Sequence, residues 1–489
     1  MPGEPDRQSR NAPWWPTAAL LALFAAAAIP LILAGGVPGR AGSDHYNYHE
    51  PAIRRFAQEW PSPDLSNYLS ATTPLYHLTL AGFARYVADS TAGLRLVSAL
   101  FTVGLLAVFS RACARRLPHQ PGLVLALCLP LAASLHVFPP GVWLLPDNAG
   151  WLGVLAIWLI ALSPSWTWPR LALASGLLVM LVLTRQIHVW SAALVWTAAW
   201  LSDDRTAVGS DRGPLIPVGP LLRPTPARLR RAAAALLLTL PAFAVVGVFV
   251  SIWGGLVVPR YQGMYRGWSG ATPAFALSLL ACYSAFFAGW LAPGLMDALR
   301  RRRTPLLAAA AIGLTAAVLP VTTYSLGDGR FGGLWYLVDY FADRLPVIGG
   351  RTSVIFLVLA PIGAAALVLW LDALPIRTRL IMLAAFVAFE AAQTTSLPWQ
   401  RYHEPMLLMW VALAAACARR GERTVGFELA VARGVGPIVL ATFFAGITAG
   451  SIWAGDDASA QARDPLASPH YRGPPAPPPR EYTEGPLGP

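Results

Sequence analysis

The sequence contains no lysine, so arginine supplies all 37 of its basic residues. It is also poor in charge, with 13% charged and 55% hydrophobic residues among 489. Soluble domains carry about 25% charged residues, so this composition excludes an ordinary soluble enzyme. The net charge is +12, but most arginines form short clusters between apolar runs, where positive charge sets the orientation of membrane segments. We therefore expect no nucleic-acid partner.

The sequence also lacks the spacings that mark metal, disulfide and nucleotide sites. Its four cysteines, Cys113, Cys128, Cys282 and Cys417, lie in or beside apolar runs without a CxxC pair, which is typical of small core residues. No Gly-rich phosphate loop and no soluble nucleotide domain can be recognised, which disfavours a nucleotide-sugar donor. We expect no cofactor and no metal.

Long apolar runs are the main feature of the sequence. A helix needs about 20 apolar residues to cross a bilayer, and spanning segments must be helices or closed barrels because lipid cannot satisfy open backbone groups. The runs lack the alternation of barrel strands. The sequence therefore predicts an all-α, polytopic membrane bundle with about 13 transmembrane helices. The predicted spans lie near residues 16–36, 91–110, 121–137, 148–163, 170–201 (two), 232–253, 273–297, 305–325, 352–372, 379–396, 405–418 and 435–453.

The arginine clusters assign the two sides of the membrane, because positive charge concentrates in cytoplasmic segments. We expect a multi-pass protein of a bacterial cytoplasmic membrane, with its functional site on the extracytoplasmic face and Arg185 at the outer turn of a hairpin. Short interfacial helices are expected in the first loop. The predicted parts are a cytoplasmic N-terminus (1–15), a transmembrane domain (16–453) with a large extracytoplasmic loop (37–90) and a cytoplasmic linker (202–231), and a disordered Pro-rich tail (454–489).

The extracytoplasmic loop holds the densest group of polar residues in the chain, with Asp44, His45, His49 and Glu50 inside seven residues. Ionisable groups near a membrane are costly, so those held at helix ends are functional candidates. Simpler roles stay open, because Asp44 could cap a helix and Glu50 could start one. The same predicted face gathers Asp147, Arg185, Arg266, Arg401 and His403. Of these, Asp147 could also be a turn residue.

Carboxylates beside arginines suit glycosyl transfer from a polyprenyl-phosphate sugar. A carboxylate within hydrogen-bond reach can take the proton of the acceptor hydroxyl, and guanidinium groups can stabilise charge on the departing phosphate. We predict Asp44 as the catalytic base, with Glu50 and Asp147 as further catalytic carboxylates. Arg185 and Arg401 are the predicted phosphate-binding residues.

Several short motifs resemble a known family. A D-x4-H pattern from Asp44 to His49 is followed by TTPLYH, then by TRQIHVW at 184–190, GGLVV at 254–258 and QRYHEP at 400–405. This set resembles the dolichyl-phosphate-glucose-dependent alpha-1,2-glucosyltransferases, inverting membrane enzymes of the GT-C type that complete the N-glycan precursor. In that family the Asp–His spacing is one residue shorter, and a second acid stands where this chain has a histidine.

The resemblance implies a GT-C-like fold and transfer of a hexose, with glucose as the first candidate, from a polyprenyl-phosphate sugar to a glycan or lipid-linked acceptor among membrane lipids. It matches Thr72, Thr73 and Pro74 to a TTP turn and Arg185 with Gln186 to an RQ pair. A glycan polymerase or ligase and a lipid or glycan transporter stay open as alternatives. The predicted substrate-binding residues are His45, His49, Thr72, Thr73, Arg185, Gln186, Arg266, Arg401 and His403.

Overall fold

The computed structural model describes residues 12–35, 40–163, 165–203, 215–216, 223–265, 267–395, 397–418 and 426–453. Most of the predicted N-terminus, much of the 202–231 linker, the tail from 454 and Arg266 lie outside the described residues. The described chain is almost entirely helical, which confirms the predicted all-α class. Its one regular hairpin among these residues pairs β1 (Val347–Ile348) antiparallel with β2 (Thr352–Ser353).

The helices follow the predicted apolar runs, broken by short single-turn segments. In chain order they are α1 (Trp15–Leu33), α2 (Arg40–Asp44), α3 (Glu50–Gln58), α4 (Leu75–Tyr86), α5 (Thr91–Arg116), α6 (Pro121–Ala133), α7 (Phe138–Val142), α8 (Asp147–Ala161), α9 (Trp168–Thr184), α10 (Ala192–Trp200), α11 (Pro226–Trp253), α12 (Thr272–Phe286), α13 (Ala288–Leu291), α14 (Leu295–Arg301), α15 (Arg303–Val318), α16 (Gly333–Tyr340), α17 (Val354–Ala373), α18 (Ile376–Gln393), α19 (Gln400–Cys417) and α20 (Phe427–Trp453).

Five described helices, α1, α5, α11, α17 and α20, are long and apolar enough to cross a membrane. The segment from α12 to α14 would be a sixth span if its 75° bend is counted within one crossing. Large apolar side chains are exposed on these helices, such as Leu33, Leu237 and Phe443, which fits contact with lipid rather than water. The chain therefore has the features of a helical membrane protein. The larger count of about 13 spans stays a prediction.

The helical hairpin predicted over 170–201 breaks at Arg185, where α9 ends and a 3-10 turn (Gln186–Ser191) leads into α10. Gln186 Nε2 donates to the carbonyl of Leu256, just beyond the end of α11, at 2.8 Å. At the other end of α11, the guanidinium of Arg228 lies 5.8 Å from the ring centre of Trp200. The 3-10 turn (Gln186–Ser191) and the C-terminal end of α10 therefore lie at opposite ends of α11.

The Asp44–Glu50 stretch is helical and lies in the loop where short interfacial helices are expected. A π-helical turn (His45–His49) joins α2 directly to α3. The wider π turn shifts the side chains that follow it, and such insertions often lie at functional sites. Pro51 is compatible with this arrangement because it occupies the first turn of α3, where its missing N–H is not needed.

Basic residues of the predicted cytoplasmic segments lie away from Asp147. Arg377 Nη2 donates at 2.9 Å to the carbonyl of Ala161, the last residue of α8. Asp147 is the first residue of this 15-residue helix, so about 22 Å of helix separates the two ends. Arg302 pairs with Asp372 at 2.8 Å on that same distant side, next to the backbone contacts of Arg379. The bundle thus has one end that carries Arg302, Arg377 and Arg379 and an opposite end that carries Asp147.

Candidate active site

Four of the predicted residues form one ion-pair network at the Asp147 end of the bundle. Asp147 Oδ1 accepts a hydrogen bond from Arg185 Nη1 at 2.6 Å. Arg401 Nε and Nη2 donate to the two oxygens of Asp147 at 3.1 and 2.7 Å, and its Nη1 donates to Asp44 Oδ2. These pairs are 38, 254 and 357 positions apart in the sequence. The network therefore exists only in the assembled bundle.

The network is largely buried, and its charges cancel. The side chains of Asp147 and Arg185 are 1% and 10% exposed, whereas those of Arg401 and Asp44 are 18% and 21% exposed. A buried charge is tolerated where a partner and hydrogen bonds compensate for the lost water, and two carboxylates facing two guanidinium groups meet this condition. Asp44 is the most exposed of the four. Among the described residues its Oδ1 has no hydrogen-bond partner.

Each of these side chains lies where a helix begins, ends or changes type. Asp44 ends α2 at the π turn, Asp147 opens α8, Arg185 follows α9, and Arg401 is in the first turn of α19. The positive end of the helix dipole favours an aspartate in a first turn and disfavours an arginine. The two carboxylates therefore hold Arg401 where local helix electrostatics oppose it. Such local conflicts are expected at functional sites.

The first turn of α19 is held from several directions by consecutive residues, Gln400 to Glu404, which we name the QRYHE turn. Gln400 Nε2 donates to Glu404 Oε2 at 2.7 Å, and Tyr283 donates to the same oxygen at 2.8 Å. The ring centre of Tyr402 lies 5.2 Å from the guanidinium carbon of Arg185. The arginine of this turn is therefore fixed by its neighbours as well as by its own ion pairs.

Tyrosines that sequence reasoning missed surround the network. Burial raises the pKa of Tyr265 well above its usual range, and its contact and hydrogen bond with Tyr402 act in the same direction. Tyr261 packs against Tyr48 with ring centres 6.1 Å apart, and its pKa is raised by burial and by the negative charge of Asp44. These hydroxyls stay protonated and can donate hydrogen bonds. The alternation of tyrosine and glycine in VPRYQGMYRGW (residues 258–268) was the available signal, but Arg266 was the residue of this segment that the sequence analysis predicted as a site residue.

Glu50 and His45 form a separate cluster and are not brought into the network. Glu50 Oε1 accepts from Arg54 Nη2 at 2.7 Å and from Thr91 Oγ1 at 2.6 Å, and Oε2 lies 3.1 Å from His45 Nε2. Burial would raise the pKa of Glu50, but the hydrogen bonds from His45, Thr91 and Arg54 outweigh it and lower the pKa to about 2. The backbone N–H of Leu144 donates to His45 Nδ1 at 3.3 Å. This cluster fixes the helix that follows Asp44.

His49 lies between this helix and α4. Its Nδ1 is 2.9 Å from Nε2 of His77, and both imidazoles are buried. Burial lowers the pKa of His49 to about 3, and the nearby charge of Arg401 acts in the same direction. His49 is therefore neutral at pH 7 and packs next to the network as an orienting group.

Three predicted substrate-binding residues make hydrogen bonds to other groups of the protein: Thr72, Thr73 and Gln186. The backbone N–H of Thr73 donates to Gln186 Oε1 at 3.0 Å, and Gln186 Nε2 donates to the carbonyls of Ala71 and Leu256, each at 2.8 Å. Thr72 Oγ1 is 3.0 Å from Ser70 Oγ. The structure therefore places these predicted substrate-binding residues in the joint that connects the first loop to the Arg185 turn and to the end of α11.

His403 is fully buried behind the network rather than on its open side. Its Nδ1 is 3.0 Å from the carbonyl of Trp399, and its Nε2 faces Glu390. Among the described residues, no group of three or more His, Cys, Asp or Glu side chains could hold a metal ion.

Comparison of the chain with protein-family models, with curated proteins and with solved structures finds no match. The chemistry of this site must therefore be derived from its own residues.

Proposed function

We propose that this protein is a membrane-embedded inverting hexosyltransferase. It would move a hexose, with glucose as the first candidate, from a polyprenyl-phosphate sugar to a glycan or lipid-linked acceptor. The observation that carries the proposal is the network of Asp44, Asp147, Arg185 and Arg401, in which Oδ1 of Asp44 has no hydrogen-bond partner among the described residues. The motif resemblance to GT-C glucosyltransferases supports the same reaction.

Asp44 is the general base in this proposal. Its Oδ2 is held by Arg401, while Oδ1 is left to accept the proton of an acceptor hydroxyl. That hydroxyl oxygen bonds to the anomeric carbon as the bond from this carbon to the phosphate oxygen breaks. The phosphate leaves with the electron pair, and a single displacement inverts the anomeric centre.

Arg185 is the better phosphate-binding group of the two arginines. Arg401 directs its Nε and both terminal nitrogens to carboxylates. Arg185 uses one terminal nitrogen, Nη1, on Asp147, and its second terminal nitrogen makes no hydrogen bond to the described residues. Arg185 can therefore bind a departing phosphate with donors that its carboxylate does not use, whereas Arg401 orients Asp44.

The test uses purified full-length protein in vesicles with polyprenyl-phosphate [14C]glucose and a lipid-linked glycan fraction as acceptor. Label should move to the acceptor fraction with wild-type protein and not with Asp44→Asn. Polyprenyl-phosphate mannose, offered in a parallel reaction, reports the choice of hexose. Absence of transfer from either donor, under conditions where the protein is folded, would exclude the proposed reaction.

A transporter of lipid-linked sugars is the second candidate, because the structure has a bent segment next to a buried carboxylate. The helix pair Thr272–Phe286 and Ala288–Arg301 bends by 75°, and Tyr283 in the first of them donates to buried Glu404. Transporters place polar sites on broken helices. In the same vesicles, a transporter would carry intact polyprenyl-phosphate glucose across the bilayer, whereas a transferase would consume it.

A further inference from the structure

A second contact lies beside the ion pair of Asp147 and Arg185, between Gly150 and His188. Gly150 follows Asp147 by three residues in α8, and residues at this spacing share one face of a helix. His188 follows Arg185 by three residues, and its backbone N–H donates to the Arg185 carbonyl at 3.1 Å. Asp147 and Gly150 thus face Arg185 and His188 in matching order. The function proposed above uses neither Gly150 nor His188.

The space beside the Cα of Gly150 is already filled. A methyl group on Gly150 would lie 2.9 Å from His188 Nε2, 3.1 Å from His188 Cδ2 and 3.2 Å from Arg185 Cδ. Contacts of a Cβ atom closer than 3.0 Å are essentially never seen, so a neighbouring group would have to move. Any residue with a Cβ at this position would therefore press on the imidazole and on the stem of the arginine together.

The imidazole of His188 is confined by its neighbours. It is 2% exposed, and the ring of Trp151 packs on it with ring centres 5.0 Å apart. Trp151 is itself 1% exposed and packs against Phe389 of α18 with ring centres 6.0 Å apart. A close-packed interior has few voids that could accept a displaced ring. Crowding at Gly150 would therefore be passed on to Arg185.

His188 contributes its volume at this contact rather than a hydrogen bond. Both of its ring nitrogens are buried and make no hydrogen bond among the described residues. Since Nε2 lies against Gly150 and both nitrogens are shielded, neither can reach a substrate in this arrangement. Buried polar atoms without partners lower stability, and such local conflicts are expected at functional sites. The ring therefore acts by filling the space between Gly150, Trp151 and Arg185.

We propose that Gly150 and His188 are positioning residues, which set the distance between α8 and the Arg185 turn and so direct the guanidinium of Arg185. The missing side chain at Gly150 lets α8 approach closely enough for the 2.6 Å contact between Asp147 and Arg185. The imidazole occupies the space next to the stem of Arg185, so the arginine cannot turn into it. The effect on sugar transfer rests on the proposed function, whereas the contact and its effect on the ion pair do not.

The first test compares the unfolding temperatures of three glycine variants of the full-length protein, without any activity. Alanine is the better helix former, so Gly176→Ala in α9, where a methyl group meets open space, should keep or raise this temperature. Gly150→Ala should lower it through crowding. Gly153→Ala should lower it as well, because its methyl group would lie 3.0 Å from Leu181 Cδ1. A Gly150→Ala protein as stable as Gly176→Ala would overturn the close contact.

The second test asks whether Gly150 and His188 act on each other. His188→Ala alone leaves a cavity and should lower the unfolding temperature. In the double variant with Gly150→Ala, the vacated space accepts the new methyl group, so the loss should be smaller than the sum of the single losses. Gly153→Ala with His188→Ala is the additive control. If Gly150→Ala is not recovered folded, the double variant should be, and failure of both alike would contradict the contact.

The third test asks whether the contact acts on the ion pair. Arg185→Gln removes the charge that faces Asp147. Gly150→Ala should therefore lower the unfolding temperature less in the Arg185→Gln protein than in wild type, whereas Gly153→Ala should lower it equally in both. Equal losses for Gly150→Ala in the two backgrounds would contradict the positioning role.

The fourth measurement is transfer from polyprenyl-phosphate glucose. Gly150→Ala should lower kcat/KM by up to about 10²-fold, which a misplacement of about 1 Å can cause, mainly through a higher donor KM. Adding His188→Ala should restore part of the loss, whereas Gly153→Ala should keep the wild-type KM. If no protein, wild type included, transfers sugar while the stability tests give the expected results, the proposed function fails and the positioning contact stands. Equal donor KM for Gly150→Ala and wild type would overturn the positioning role in an active enzyme.

Discussion

In the proposed reaction Asp44 is the general base, and this role can be tested by replacing one of its carboxylate oxygens with an amide nitrogen. Asp44→Asn keeps the shape of the side chain and a partner for Arg401 but removes the base. A general base contributes about 10²–10⁴-fold, so transfer should fall by that factor while donor binding and the unfolding temperature change little. The matched control is Asp64→Asn, an exposed aspartate of the same region. A variant that keeps more than about a tenth of the wild-type rate would assign the base to another carboxylate.

The two arginines should respond differently to the same conservative change. Lysine keeps the charge but loses the planar fork of donors. Arg185→Lys should therefore raise donor KM, because Arg185 has donors to offer a phosphate. Arg401→Lys should lower kcat, because it orients Asp44 and Asp147. Steady-state kinetics with polyprenyl-phosphate glucose measure both constants, and equal effects on KM would contradict the division of roles.

The buried imidazole of His49 predicts how stability changes with acid. Its folded-state pKa of about 3 lies below the ordinary value of 6.5, so the unfolded chain binds more protons between these values. Stability should therefore be greatest above about pH 6.5 and fall as pH decreases toward 3. His49→Asn can still hydrogen-bond to His77 but does not titrate, and its unfolding temperature should decline less over this range. An unchanged slope would show that His49 is not the group responsible.

Among the elements, the joint made by Gln186 links the first loop, the Arg185 turn and the end of α11. Its side chain makes three hydrogen bonds to backbone groups of Thr73, Ala71 and Leu256. Gln186→Ala leaves those groups without partners, which costs about 1–3 kcal/mol for each buried group affected. We expect a lower unfolding temperature and reduced turnover, since Arg185 is the next residue. Gln58→Ala, at the end of α3, is the control, and equal stability of the two variants would contradict this role.

Elements were predicted from the sequence where one local signal dominates. Apolar runs predicted the long helices, and the polar group Arg185, Gln186 and His188 predicted the break between α9 and α10. The π turn at His45–His49 was missed, because its sequence differs little from that of an ordinary helix. Apolar length alone also does not separate crossing helices from shorter packed ones, so the count of about 13 spans stays a prediction.

Site residues were predicted where charge conflicts with its surroundings. Asp44, Asp147, Arg185 and Arg401 were identified because charges are rare in this chain, and the structure brings these four together. Glu50 has the same chemistry, but its partner Thr91 is 41 positions away, so its separate cluster could not be recognised. The contact between Gly150 and His188 was not visible either, because a glycine gives no side-chain signal and only packing brings the two residues together.

At the scale of the whole molecule, we expect the network end and the end that carries Arg302, Arg377 and Arg379 to lie on opposite sides of the membrane. The prediction is tested in a background without the four native cysteines, using single cysteines at exposed Asp64, near the network end, and exposed Asp297, in α14. A membrane-impermeant maleimide added outside intact cells should label Asp64→Cys and spare Asp297→Cys until the cells are opened. Labelling of Asp297→Cys alone would place the network in the cytoplasm.

The spacing of the network residues along the chain also sets an order of events during synthesis. Arg185 follows Asp147 by 38 positions, whereas Arg401 follows it by 254. At about 5–20 residues per second, the ribosome needs roughly 13–50 s to make those 254 residues. During that interval Arg185 can neutralise Asp147, whereas Arg401, the partner of Asp44, has not yet been synthesised. The pair of Asp147 and Arg185 can therefore form early, and the network is completed only after α19 has been synthesised. A chain truncated before residue 401 cannot form the site.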